Sequence, residues 1–288
     1  MLATKPRTDV RRITHQTRGM THGPITRLVS PSDLGELMKP FVFLDLARFE
    51  DNANAMSIDA FWHPHSGIAT VTVMLDGGVR VVDTTGTDLV LPQGGVEWMR
   101  AGNGVWHTGQ AQPGNAKAFQ LWVALPPALE NGPSAARYAM PEEIPAIGPA
   151  RVILGSYEGV QSPIDAPPMT YLQVSLKAGE HWRYTPPHDH LVAWVAVSDG
   201  ALQTPSRVRA GEVAIFEPSN AAIDFVAEGE TRFVLGSALP HPHDLVLGNY
   251  SVHTSEAALR QGEAEIVRIG RELRDNGTLR RARPAVRL

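Results

Sequence analysis

The chain has 288 residues, 43% of them apolar, and a formal charge of -4. That is enough apolar material for one large core or two smaller ones, and the length favours two domains. The mildly acidic balance argues against nucleic acid as a direct partner, which needs a concentrated basic surface. No run approaches the roughly 18 apolar residues of a membrane span, and no signal-peptide core stands near Met1.

Cysteine is absent, so no disulfide forms, and histidine, aspartate and glutamate are the strong metal-ligand candidates. A reducing, cytoplasmic setting is the expectation. Basic residues gather at both ends, with Lys5, Arg7, Arg11, Arg12 and Arg18 early and Arg271, Arg274, Arg280, Arg281 and Arg283 late. Both clusters read as solvated termini.

From residue 41 onward, short apolar runs are punctuated by glycine. Residues 41–44, 70–75, 79–82, 89–91 and 119–125 alternate or run continuously, and pairs such as Asp76-Gly77 and Thr85-Gly86 bound them. This is the pattern of hairpin strands. Ahead of the second run stands His63-Pro64-His65. On a strand, side chains two apart share a face, so both imidazoles can hold one cation while Pro64 points away. His107 follows Gly102-Asn103-Gly104-Val105-Trp106 and can supply a third imidazole inside a β-barrel. Trp62, Trp98, Met99 and Trp106 read as core or pocket wall, and Gly102 and Gly104 as backbone requirements.

Pro126-Pro127, Asn131-Gly132-Pro133 and Pro141 then break the periodicity, and a connector is expected near residues 135–145. The division expected is 1–138, with the metal site, and 139–288. The second part repeats the plan of the first. Asp199-Gly200 echoes Asp76-Gly77, Gly211 before residues 213–216 echoes Gly95 before Val96, and residues 233–235 stand where 119–122 stood, as after duplication of one β-unit. His181, His188 and His190 imitate the first histidine pair, but no later histidine follows Gly211 within that unit, so no second metal is expected there. His241-Pro242-His243 reads as a surface loop and His253 as a hydrogen-bonding residue at a helix start. The helix begins at Thr254 or Ser255 and is short, because Gly262 and Gly270 interrupt it.

These motifs together resemble the pirin family of the cupin superfamily. The matching pieces are residues 41–45, His63 to Gly67, Val71 to Val73, Gly95-Val96-Glu97-Trp98-Met99 running on through Ala101-Gly102 to His107, and Gln120 to Pro126. The resemblance is close over residues 40 to 125 and implies an all-β chain of two cupin-type, jelly-roll β-barrels with a short C-terminal helix. It also implies one divalent metal in the first barrel, iron first and nickel, manganese, zinc, cobalt or copper after it, held by His63, His65 and His107. Pirins usually carry a glutamate two residues beyond the third histidine, where this chain has Gly109. Either water completes a three-histidine shell, or the site is weakened. Gln110 would face the opposite side and Glu97 lies on another stretch, so no catalytic base is named.

The function implied is that of a quercetin 2,3-dioxygenase-type oxygenase acting on a flavonol or small aromatic. The alternative is a non-catalytic regulatory protein that binds a protein partner, with a structural, redox-sensing or absent metal.

Overall fold

The computed structural model describes residues 10–50 and 62–279. Strands dominate, and the fold is the expected all-β, two-barrel architecture. Each half contributes one large and one small antiparallel sheet. In the first half the seven-stranded sheet runs Ala135–Ala139, Val96–Arg100, Ile68–Asp76, Ala116–Ala124, Phe41–Phe49, Ile25–Val29, Met20–His22. Its four-stranded companion runs His63–His65, Val105–Ala111, Val79–Asp83, Asp88–Leu91.

The second half repeats this order strand for strand. Ile13–Thr17, Val213–Phe216, Val192–Asp199, Thr231–Ala238, Met169–Leu176, Ala150–Leu154 and Ala146–Ile147 form its large sheet. His181–Tyr184, Ile223–Ala227, Ala201–Gln203 and Arg207–Arg209 form the small one. The hairpin turns Asp76-Gly77 and Asp199-Gly200 occupy equivalent places, with Gly77 and Gly200 at φ 69° and 77°, which glycine adopts without a Cβ penalty. A strand crosses between halves: Ile13–Thr17 pairs with Val213–Phe216 and completes the second large sheet. The expected division at 138/139 therefore runs through the strand Ala135–Ala139 and leaves Ile13–Thr17 on the side whose sheet it does not join.

That crossing corrects one reading of the N-terminal basic cluster. Arg11 is buried, donating from Nε to the Glu217 carbonyl at 2.9 Å and from its terminal nitrogen to the Leu191 carbonyl. The strand it introduces is pinned to the second barrel, so the side chain is enclosed. Arg12, Arg18, Arg271 and Arg274 are exposed, while Lys5, Arg7, Arg280, Arg281 and Arg283 lie outside the described residues.

Pleating explains where the core sits. Alternate residues of the large first sheet, Leu44, Leu46, Val71, Val73, Val96, Trp98, Phe119 and Leu121, share one apolar cluster with Trp194, Ala196, Val213, Ile215 and Val234 of the second large sheet. The two large sheets thus meet face to face, and Phe41 packs edge-on against Trp194 with centroids 5.5 Å apart. The opposite face of each large sheet is turned into its own barrel. In the second barrel that interior is solid, packed with Trp182, Tyr184, Phe216, Phe225 and Phe233. In the first it is hollow.

Candidate metal centre

His63 stands directly across from His107 in the small first sheet, and His65 across from Val105. Opposed residues in an antiparallel pair hold their Cβ atoms about 5 Å apart. The register thereby adds His107 to the pair on one strand. Ring centroids lie 4.3 Å apart for His63 and His107, and 4.9 Å for both His63–His65 and His65–His107. One ring nitrogen from each of the three falls within 4.8 Å of the others.

The donor chemistry fits a cation. The Nε2 atoms of His63 and His107 are 2.9 Å apart. Two imidazoles at right angles on one ion, each at about 2.1 Å, leave their nitrogens about 3.0 Å apart. His65 places Nδ1 3.1 Å from the Tyr250 carbonyl, which accepts its proton and leaves Nε2 with a free lone pair. Burial, reinforced by neighbouring His63, holds the pKa of both His65 and His107 well below the ordinary histidine range. Neutral rings are the ligating form.

The rings open onto a cavity of about 960 Å³. Phe43 and Trp122 stack along one wall, centroids 4.1 Å apart and planes within 9°. The Arg27 guanidinium lies 4.1 Å from the Phe43 ring centre and forks onto Asp45. Val79 and Val81 line the cavity from the small sheet, and Tyr250, carried by the second half of the chain, closes toward His63 and His65 with centroids 5.8 and 6.1 Å away. Gly109 also faces this space. Pairing along Val105–Ala111 is regular, with His107 opposite Asp83 and Gly109 opposite Val81, so Gly109 shares the face of His107. A Cβ there would meet nothing closer than Val79 Cγ2 at 3.4 Å. The backbone has room for a side chain that the sequence does not provide.

A carboxylate nevertheless reaches the cluster from another strand. Glu97, 2% exposed, holds Oε1 3.9 Å from His107 Nδ1. Its Oε2 accepts from the Thr72 hydroxyl, and Oε1 has no hydrogen-bond partner. Burial pushes this carboxyl up to about 7, against the lowering effect of Thr72, and Asp83 adds to the rise. Spacing along the chain gives Glu97 no link to the histidines, since it lies on a different stretch of sequence. The signal was there: an acidic residue inside the run Val96-Glu97-Trp98-Met99 needs a polar surrounding, and Asp45, Thr72 and Gln120 interrupt neighbouring apolar strands in the same manner.

The remaining histidines sit elsewhere. The strand that takes the place of His63–His65 in the second barrel is His181–Tyr184, whose inward residues are Trp182 and Tyr184 while His181 is exposed. His188 is exposed, and His190 is buried with Nδ1 3.0 Å from Ser237 Oγ. The reading of His241-Pro242-His243 as a surface loop is corrected for its first member: His241 is 8% exposed, because the segment folds back so that its N–H donates to the Lys39 carbonyl. His253 does not serve the helix start either. Its Nε2 lies 3.0 Å from Ser66 Oγ and its Nδ1 3.4 Å from Glu130. Ser66, Glu130 and His253 are all buried, at 0, 3 and 1% exposed. This resembles a hydrolytic triad in order but has no room beside it, since a Cβ on Gly262 would already lie 2.6 Å from Ser66 Oγ. Trp106 is neither barrel core nor cavity wall; its Nε1 donates to the Ile266 carbonyl of the C-terminal helix at 2.7 Å.

Residues 24–123 match the family model described as Pirin. The chain is 33% identical over 190 residues to a "Pirin-like protein" of Caulobacter vibrioides, covering 62% of this chain and 67% of that one. It is 29% identical over 231 residues to a Pseudomonas aeruginosa protein named "Putative quercetin 2,3-dioxygenase", covering 75% and 81% of the two chains. Its fold superimposes on a crystal structure of quercetin 2,3-dioxygenase from Acinetobacter baumannii with a TM-score of 0.77 at 24% identity, over 94% of this chain and 97% of that one. With a two-barrel cupin fold, a three-histidine cluster in the first barrel and these relatives, the chain belongs to the pirin family.

Proposed function

We propose that the protein is a metal-dependent dioxygenase of the quercetin 2,3-dioxygenase type, acting on a flavonol or related small aromatic in the first barrel. The observation that carries this reading is the convergence of three imidazoles at the wall of a cavity of about 960 Å³, a volume suited to a ligand of that class. His63, His65 and His107 would hold one divalent ion, iron first among those that accept an all-imidazole set. When bound, the ion supplies Lewis acidity and open positions for oxygen and for the hydroxyl-keto edge of a substrate.

The chain's own residues do the rest. Phe43 and Trp122 offer a flat apolar wall to an aromatic ring, and Val79 and Val81 exclude water from the opposite side. Arg27 presents a donor to substrate oxygens. The Tyr250 carbonyl holds the proton of His65 at Nδ1 and so keeps that ring's orientation.

The test is metal analysis of protein purified without added metal, followed by oxygen uptake with quercetin. One ion per chain with uptake is expected. One observation favours a second reading, a non-catalytic protein that binds a protein partner: the cavity face at 109 carries no acid. Protein that lacks metal, or holds it with no uptake of oxygen, would favour that reading.

A further inference from the structure

Five polar residues lie in one row across the large first sheet. The pairings run Arg27 opposite Asp45, Asp45 opposite Gln120, Gln120 opposite Thr72 and Thr72 opposite Glu97. All five face the cavity, while their neighbours along each strand face the other barrel. In a sheet buried on both faces such a row is costly unless its members satisfy one another. They nearly do. Asp45 takes the Arg27 fork, and Thr72 gives its one hydroxyl proton to Glu97 Oε2. Gln120 lies 2.9 Å from the same hydroxyl, and with its Nε2 turned to Thr72 the amide donates where the hydroxyl can only accept. Two atoms of the row are then left without a partner, the outer amide atom of Gln120 and Glu97 Oε1, and the latter is buried 3.9 Å from His107 Nδ1.

We infer that Glu97 is a positioning residue for the histidine cluster, its carboxylate serving His107 Nδ1 from behind and supplying the negative charge that no residue at 109 provides. The geometry separates the two nitrogens of His107: Nε2 faces His63 Nε2 and Nδ1 faces Glu97. A carboxylate behind a ligating imidazole fixes the ring's tautomer and raises its basicity, typically contributing ten- to a hundredfold in metal affinity. Thr72 and Gln120 hold that carboxylate in place. The inference rests on the reading of His63, His65 and His107 as metal ligands.

The experiment is titration of the metal-free full chain with Co(II), followed by its visible absorption. Glu97→Gln, which keeps the shape and removes the charge, should weaken Co(II) binding about ten- to a hundredfold, with Glu97→Asp falling between it and the parent. The exposed carboxylate variant Asp88→Asn in the small sheet should bind as the parent does. Equal affinity of Glu97→Gln and the parent would overturn the inference while leaving the metal site standing. Equal losses in the Gln and Asp variants would also overturn it, by tracing the effect to packing. A parent chain that takes up no Co(II) would overturn the metal reading itself and this inference with it. Should the variants fail to fold, the Zn(II) form of the parent decides by NMR. The His107 Nδ1–H should resonate downfield of the His65 Nδ1–H, whose acceptor is only a carbonyl. The reverse order would sink the proposal.

Discussion

His63 and His107 face one another across a strand pair, and each contributes a third of the proposed ligand set. Replacing either with alanine leaves two imidazoles, and metal content after dialysis should fall to background. His188→Ala should leave it unchanged, because that side chain is exposed in the other half of the chain. Gly109 shares the face of His107 and has space around it, so Gly109→Glu should tighten Co(II) binding about tenfold if the ion sits where the rings converge. Unchanged affinity would show that the new carboxylate does not reach the ion. The three histidines were legible in the sequence because a two-residue spacing and a family string both mark them. Glu97 was legible only as a buried acid, because its relation to His107 depends on how the two sheets of the first barrel face one another.

The C-terminal helix, Glu256–Asp275, shows what spacing alone misreads. Ser255 caps it as anticipated, its Oγ accepting from the Ala258 N–H at 3.2 Å. Gly262 and Gly270, expected to interrupt the helix, lie inside a continuous one and are points of close approach. A Cβ on Gly262 would stand 2.7 Å from His253 Nε2, and one on Gly270 would stand 2.6 Å from Trp106 Cζ2. Glycine costs the helix about 1 kcal/mol relative to alanine, and here that cost is offset by contact with the strands that carry His65 and His107. Gly262→Val should therefore destabilise the chain by about 1–3 kcal/mol, despite the better helix propensity of valine. Thermal unfolding checks the sign. A more stable variant would mean that the helix is not seated as described.

At the scale of the whole molecule, the duplication places two equivalent turns against each other. Asp76 and Asp199 meet Lys117 and Arg232, with Lys117 opposite Asp76 and Arg232 opposite Asp199 in their own sheets. The Arg232 guanidinium reaches across to both Asp76 oxygens at 2.8 Å and to Asp199 at 2.9 Å, while Lys117 lies 2.5 Å from Asp199. The hydrogen bond from Arg232 holds the Asp76 carboxyl below the ordinary aspartate range. Its stabilising contribution is thus present above the unfolded value of about 3.9 and is lost as pH falls through the lower folded value. Asp76→Asn should cost about 1 kcal/mol at neutral pH, for a network whose side chains are partly open to solvent screening. Denaturant unfolding of parent and variant should converge as the pH drops below about 3.9. A difference that persisted in acid would assign the effect to something other than charge.

The sequence by itself determined the strand content, the hairpin turns, the repeat of one β-unit and the three imidazoles, since these follow from alternation, glycine placement and spacing along a single strand. Tertiary structure alone decided which face of each strand turns toward the other barrel and which toward the cavity. It also decided that Ile13–Thr17 joins the far sheet, and that the second barrel is filled with aromatic side chains where the first is hollow. The physical reason is that a strand's pattern names two faces without naming their neighbours. The facing of the large sheet on the small one, a property of the assembled barrel, sets Glu97 behind His107.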